Sequence, residues 1–187
     1  MATLVGPSPK PIPTSAARAG TSTMKALVYH GPGKLIVIDI DDNRLEVART
    51  LGATHTINNT DDGAVALVMA RTGGRGVDVA IEAVGTPGTF DVCQQIVSAG
   101  GHVANVGVHG KPVQLEMQRL WSQNITLTTR LVDTVTIPML MKMVASGRVK
   151  PQTLITHRFA LADTMAAYDA FGDAMQERAL KVIISNE

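Results

Sequence analysis

The chain has 187 residues, 17 basic against 16 acidic side chains, a net charge of +1, and 45% apolar residues. That length holds one ordinary domain, at most one and a half, with a sizeable core. The balanced charge argues against a protein held on nucleic acid or an anionic membrane by bulk electrostatics. Cys93 is the only cysteine, which excludes a disulfide framework and a four-cysteine zinc site. Aromatic residues are only 3%, too few for base-stacking platforms. No run of about 18 apolar residues marks a membrane span.

Residues 1–23 carry Pro7, Pro9, Pro11 and Pro13 among Ser, Thr and Ala, and read as a disordered lead. Lys10 and Arg18 among hydroxyl residues faintly resemble a transit peptide, but basic residues are few, and an uncleaved tail is the favoured reading. Residues 25–29 predict a short strand, and His30-Gly-Pro-Gly-Lys34 a turn. Residues 35–40 are a continuous apolar run ending in Asp39 and Ile40, as in a parallel strand buried on both faces. Asp42 is placed to cap a helix carrying Leu45, Ala48 and Leu51, ended by Gly52. A strand at 55–57 follows, then a helix opened by Asp62 with Val65, Val68 and Met69 inward, closed by Gly73.

The rhythm continues with a strand at 77–81. A helix from Thr86-Pro87 to Ile96 and Val97 ends at Gly100, and strands follow at 102–106 and 125–129. A helix over 138–146 is stopped by Gly147; a last helix spans about 163–175, and a strand closes the chain at 180–184. Strands alternating with helices predict an α/β chain with a mainly parallel, doubly wound sheet.

Asp39 is the most informative residue. At the carboxyl end of a buried strand it faces the ligand crevice of such a sheet, where a carboxylate accepts both hydroxyls of an adenosine ribose and repels a 2′-phosphate. That predicts NAD over NADP; the plainer alternative is a loop-capping Asp beside Asp41 and Asp42. Gly31-Pro-Gly33 is a poor phosphate loop, because the third glycine of G-x-G-x-x-G would fall at Ile36, inside a strand. The strand ends at 83–85, 106–108 and 129–131 are where backbone groups could meet a flat ring, or ordinary strand-to-loop junctions. His30, His55, His102, His109 and His157 have no partner at ligand spacing and read as strand-end or surface residues, so no metal site is assigned. Cys93 reads as core, and Met139, Met141 and Met143 as a packing face.

Several segments together resemble one family, the zinc-dependent medium-chain alcohol dehydrogenases. Met24-Lys-Ala-Leu-Val-Tyr-His-Gly-Pro-Gly-Lys34 is similar to its opening strand. Ile38-Asp-Ile-Asp-Asp-Asn-Arg-Leu45, Leu51-Gly-Ala-Thr54, Val77-Asp-Val-Ala-Ile-Glu-Ala-Val-Gly85, Gly100-Gly-His-Val-Ala-Asn-Val-Gly107, Leu131-Val-Asp133 and Thr156-His-Arg-Phe159 follow in order. The resemblance implies that Asp39 binds the adenosine ribose with Arg44 beside it. It implies that Val84 and Gly85, then Val106, Gly107 and Val108, then Thr129 to Leu131, line the cofactor cleft. Lys181 matches a basic position near the pyrophosphate in some members.

The departures are as informative. In the family a long stretch separates the opening strand from the strand ending in the ribose carboxylate; here Lys34 runs directly into Leu35. The resemblance implies that the missing stretch holds the zinc ligands, the substrate pocket and the first strand, glycine-rich loop and helix of the NAD-binding domain. The expected fold is therefore a partial Rossmann sheet lacking its first strand and glycine-rich loop, with remnants of the catalytic domain. Its divisions are a lead at 1–23, a remnant of the catalytic domain's first strand at 24–34, an incomplete NAD-binding domain at 35–157, and a helix and strand returning to the catalytic domain at 158–187.

The expected function is that of an internally deleted NAD-dependent zinc alcohol dehydrogenase without catalytic activity of its own. Zinc belongs to the family but its ligands are missing here. NAD binding is residual: losing two or three charge-assisted hydrogen bonds of about 1.5–3 kcal/mol each lowers affinity by roughly two orders of magnitude or more. The rival is an interaction module that pairs through the edge strand at 125–129, as a homodimer or a heterodimer with a full-length homologue. A methyltransferase reading is weaker, since it needs the same glycine loop. The expected location is cytoplasmic, with no nucleic-acid or membrane partner. With the central strand missing, the half-sheets either separate or are bridged, with residues 25–29 as the candidate bridge.

Overall fold

A computed structural model describes residues 33–131 and 134–186; the lead and the candidate strand at 25–29 lie outside the described residues. Among the described residues the first element is β1 (Ile36–Asp39), which passes through α1 (Asp42–Thr50) into β2 (His55–Asn58). β1 and β2 pair in parallel, Ile36 against His55 and Asp39 against Asn58. Asp41, not Asp42, caps α1: its Oδ1 accepts from the Asn43 N–H at 2.8 Å. Asp42 is the first-turn acid and Arg49 the last-turn base, both complementing the helix dipole. Leu45 is buried as expected, whereas Leu51 is exposed and forms the C-cap.

α2 (Ala64–Arg71) starts after Gly63, two residues beyond the expected Asp62, which adopts a left-handed φ of 53° in the preceding turn. Its buried side is Ala64 and Val68. β3 (Val77–Glu82), α3 (Pro87–Ile96) and β4 (Val97–Asn105) follow. The Thr86 hydroxyl accepts from the Thr89 N–H while the Thr89 hydroxyl accepts from the Thr86 N–H, a reciprocal cap with Pro87 at the first helical position. The expected glycine stop at Gly100 is displaced. The chain enters β4 directly at Val97, and Gly100 and Gly101 lie inside the strand, where the β3–β4 register shifts. Gly100 takes a φ of +74° there, which its missing side chain permits.

After α4 (Met117–Leu120), which the sequence did not predict, β5 (Thr126–Thr129) pairs in parallel with β4, so the second sheet has the order β3–β4–β5. α5 (Ile137–Ala145) follows with no buried residue; Met139 and Met141 are exposed rather than packed. An unpredicted strand, β6 (Ile155–Ala160), then α6 (Thr164–Gly172) and β7 (Lys181–Ser185) make a third, two-stranded parallel sheet.

Among the described residues the half-sheets β1–β2 and β3–β4–β5 share no strand pairing. They share a core. Ile57 from β2 and Val68 from α2 cluster with Ala80, Phe90, Cys93, Ile96 and Val103 from the second half, and Ile36 and Ile38 of β1 pack against them. Each large apolar side chain so buried contributes about 1.5–3 kcal/mol. The opposite face of β3 is open, with Val79 54% and Ile81 62% exposed, while Ala80 and Glu82 are buried. No helix among the described residues is long and apolar enough to cross a membrane.

Candidate functional site

Two groups of residues gather at the carboxyl ends of the strands. The first is built on β1. The Asp39 Oδ1 accepts from the N–H groups of Ile40 at 2.8 Å and Asp41 at 3.0 Å, which turns the carboxylate back over the strand end. Arg44, one helical turn into α1, places Nη1 3.5 Å from that same oxygen and Nε 3.4 Å from Asp41 Oδ2. All these contacts to Asp39 fall on one oxygen, so its other oxygen can accept hydroxyl donors. Asn58, at the end of β2, donates to Asp42 Oδ1 at 2.8 Å and closes the rim. Two carboxylates, Asp39 and Asp41, share one guanidinium, so the local charge is negative even with Arg44 paired.

The second group is built on β3 and β4. Glu82, 1% exposed, is the last residue of β3. Its Oε1 accepts from the Val84 N–H at 2.9 Å, the Gly85 N–H at 2.8 Å and the Thr89 hydroxyl at 2.7 Å. Its Oε2 lies 3.3 Å from His109 Nε2, which also meets Asn105 Oδ1 at 2.7 Å. Burial pushes the Glu82 carboxyl up, but the Gly85, Thr89 and Val84 donors and the nearby His109 more than offset it, holding it below its ordinary value. Asn105 in turn donates to the Gly107 carbonyl at 3.1 Å. This network draws the loop after β3 against the loop after β4. A side chain at Gly107 would collide with Glu82 Oε2 and the Gly85 N–H, and one at Gly85 with the Val108 carbonyl. Gly85 also has a φ of +90°.

Of the expected cleft residues, Val84, Gly85, Val106, Gly107 and Val108 are thus brought together, with Val84, Val106 and Val108 exposed. Thr129, Arg130 and Leu131 lie at the same edge, where the Arg130 N–H donates to the Asn105 carbonyl at 3.1 Å. Asp39 and Arg44 form their own group on the other half-sheet. Lys181 begins β7 in the third sheet.

Of the histidines read as strand-end or surface residues, His109 is half-buried: its side chain is 18% exposed, and it meets Phe90 edge-on at 6.0 Å. The signal that could have found this network is Glu82 itself, an acid that ends the strand right after the apolar Val79-Ala-Ile81 and three residues before Gly85.

Among the described residues no three His, Cys, Asp or Glu side chains are grouped to hold a metal ion, so a zinc does not fit these residues.

A sequence profile of the zinc-binding dehydrogenases matches residues 19–146. An alcohol dehydrogenase from Cupriavidus necator is 34% identical over 161 residues, 82% of this chain and 43% of that protein. A zinc-dependent alcohol dehydrogenase 2 from Streptococcus pneumonia, solved in its apo form, superposes with a TM-score of 0.78 at 50% identity, covering 82% of this chain and 45% of that one. An Escherichia coli dehydrogenase solved with NADH shares the fold, with a TM-score of 0.74 at 24% identity over 82% of this chain and 44% of that one. The chain thus spans less than half the length of these relatives. Its parallel strands and helices are the Rossmann-like part of such enzymes, and the chain belongs to the zinc-binding dehydrogenase family.

Proposed function

We propose that this chain keeps the adenosine side of an NAD site and does not itself oxidise alcohols. The observation that carries the reading is the Asp39 carboxylate, anchored through Oδ1 at the carboxyl end of β1 with Arg44 beside it. A ribose with two free hydroxyls suits a carboxylate that still has an acceptor oxygen. A 2′-phosphate would meet Asp39, Asp41 and Asp42, and the one guanidinium nearby is already shared by two of them. Nicotinamide would lie toward Val84–Gly85 and Val106–Val108, with Thr129 to Leu131 completing the wall.

Alcohol oxidation in this family calls on zinc as a Lewis acid, and the described residues supply no ligand set for it. The internal junction at Lys34–Leu35 supports the same reading, since the resemblance puts the zinc ligands and the glycine-rich loop in the stretch that would lie there. Incubation with NAD and a panel of primary and secondary alcohols should give no absorbance at the NADH band. Steady NADH formation by the purified chain would overturn the reading.

A second reading is favoured by β5, the terminal strand of its sheet among the described residues, with all four residues exposed. Its free backbone edge suits pairing with a second copy or with a full-length homologue. Light scattering should then give a dimer that Thr128→Pro returns to a monomer; a wild-type monomer that does not co-purify with a homologue would refute it.

A further inference from the structure

At the opposite end of the β3–β4–β5 sheet from the groups above lies a cleft of about 270 Å³, lined among others by Arg75, Arg119, Gln94, Gln95 and Gln123. Arg75 stands in the turn before β3, Gln94 and Gln95 in the last turn of α3, Arg119 in α4 and Gln123 just before β5. Among the described residues two guanidinium groups and three amides line it and no carboxylate does, the Gln95 amide donating to Asp91 Oδ2 at 2.7 Å. Nε and Nη2 of Arg119 are buried and make no hydrogen bond among the described residues.

Those two nitrogens form the side edge of the guanidinium, the pair that presents two parallel N–H bonds to an oxyanion. Buried charged donors left unpaired are costly, and the ordinary resolution is an acceptor bearing charge. The Gln94 amide is already committed: it donates to the Gln114 carbonyl at 3.1 Å and accepts from the Glu116 N–H at 2.9 Å, fixing the floor from which α4 starts. Arg119 is therefore held on a short helix whose entry is pinned, rather than on a free loop.

We propose that this cleft binds a phosphate group, either inorganic phosphate or a small phosphomonoester. A planar monocarboxylate would satisfy one fork. A tetrahedral dianion can meet Arg119 on one side and Arg75 on the other, with the Gln123 amide as a further donor. The cleft is far roomier than the roughly 30 Å³ occupied by one water. It lies at the amino-terminal ends of the strands, so it is distinct from a dinucleotide cleft, which forms at their carboxyl ends.

The test is a titration of the full chain with inorganic phosphate at constant ionic strength, followed by ¹H–¹⁵N correlation spectra, with glycerol phosphate, acetate and chloride as parallel arms. Saturable shifts at Gly74, Arg75, Gln95 and Gln123 are expected with phosphate, and Arg119→Gln should weaken binding about tenfold or more, the equivalent of one charge-assisted contact. If that variant does not fold, Arg75→Gln, whose side chain is more exposed, should still weaken phosphate several-fold. A response to glycerol phosphate alone assigns the site to phosphomonoesters, and equal responses assign it to the free ion as well. Shifts that are absent, scattered over the surface, matched by chloride or produced by acetate alone would overturn the proposal.

Discussion

Glu82 ties three donors from two segments to one carboxylate oxygen, and its loss should be felt well beyond its own position. Glu82→Ala leaves two part-buried N–H groups and the Thr89 hydroxyl without this acceptor, which costs about 3 kcal/mol. Glu82→Gln keeps an acceptor but loses the charge and should cost about 1–3 kcal/mol. The pH dependence follows from the lowered carboxyl. In the folded chain Glu82 stays ionised below the ordinary value of about 4.5. Between that value and its folded one, the unfolded chain binds more protons. Its contribution to stability is therefore complete above about 4.5 and is lost as pH falls through the folded value. Urea titrations from neutral pH down should show an acid limb that Glu82→Gln flattens; an unchanged limb would mean that Glu82 is not the group titrating there. Gly107→Ala tests the same contact by size. A methyl group driven into Glu82 Oε2 and the Gly85 N–H should destabilise by about 1–3 kcal/mol, whereas Gly110→Ala, with open space around it, should be near neutral.

At the scale of elements, α3 shows what the sequence made legible. Thr86-Pro87 placed its start, and Cys93 read as core, as found; the burial of Phe90 beside it was not read. Its end was misread, because Gly100 looks like a stop signal but serves a register irregularity inside β4. Only pairing with β3 shows that, and pairing is not local. β6 was missed for the same reason: residues 155–160 alternate weakly and become a strand against β7. Asp39 stood out in the sequence because a carboxylate ending an apolar run is chemically odd; the run itself is half-buried rather than buried on both faces. The Glu82–His109–Asn105 network did not stand out, since its members come from two strand ends and a loop that only the parallel β3–β4 register brings together. Cys93 offers a direct check on α3. Burial chiefly, and then the Glu82 charge, push its thiol up to about 11. It should therefore react with a disulfide reagent at pH 8 at least tenfold more slowly in the folded chain than in urea. Equal rates would mean that α3 does not hold it in the core.

For the whole molecule, the question is how two half-sheets without a shared strand remain one unit. The core that joins them is apolar and continuous from Ile57 through Val68 to Phe90 and Val103, and Lys34–Glu187 forms one compact unit. A single cooperative transition is therefore expected on heating. Against that stands the exposed face of Val79 and Ile81, with α5 carrying no buried residue. That surface, together with the β5 edge, favours association, so the apparent midpoint should rise with protein concentration if a dimer forms. The most direct test of the central claim is a thermal melt of the full chain in phosphate buffer, alone and with millimolar NAD or NADP, repeated with Asp39→Ala. The account predicts one cooperative transition, raised by NAD, not by NADP, and no longer raised by NAD once Asp39 is replaced. Equal shifts by both dinucleotides, or an NAD shift that survives Asp39→Ala, would contradict it.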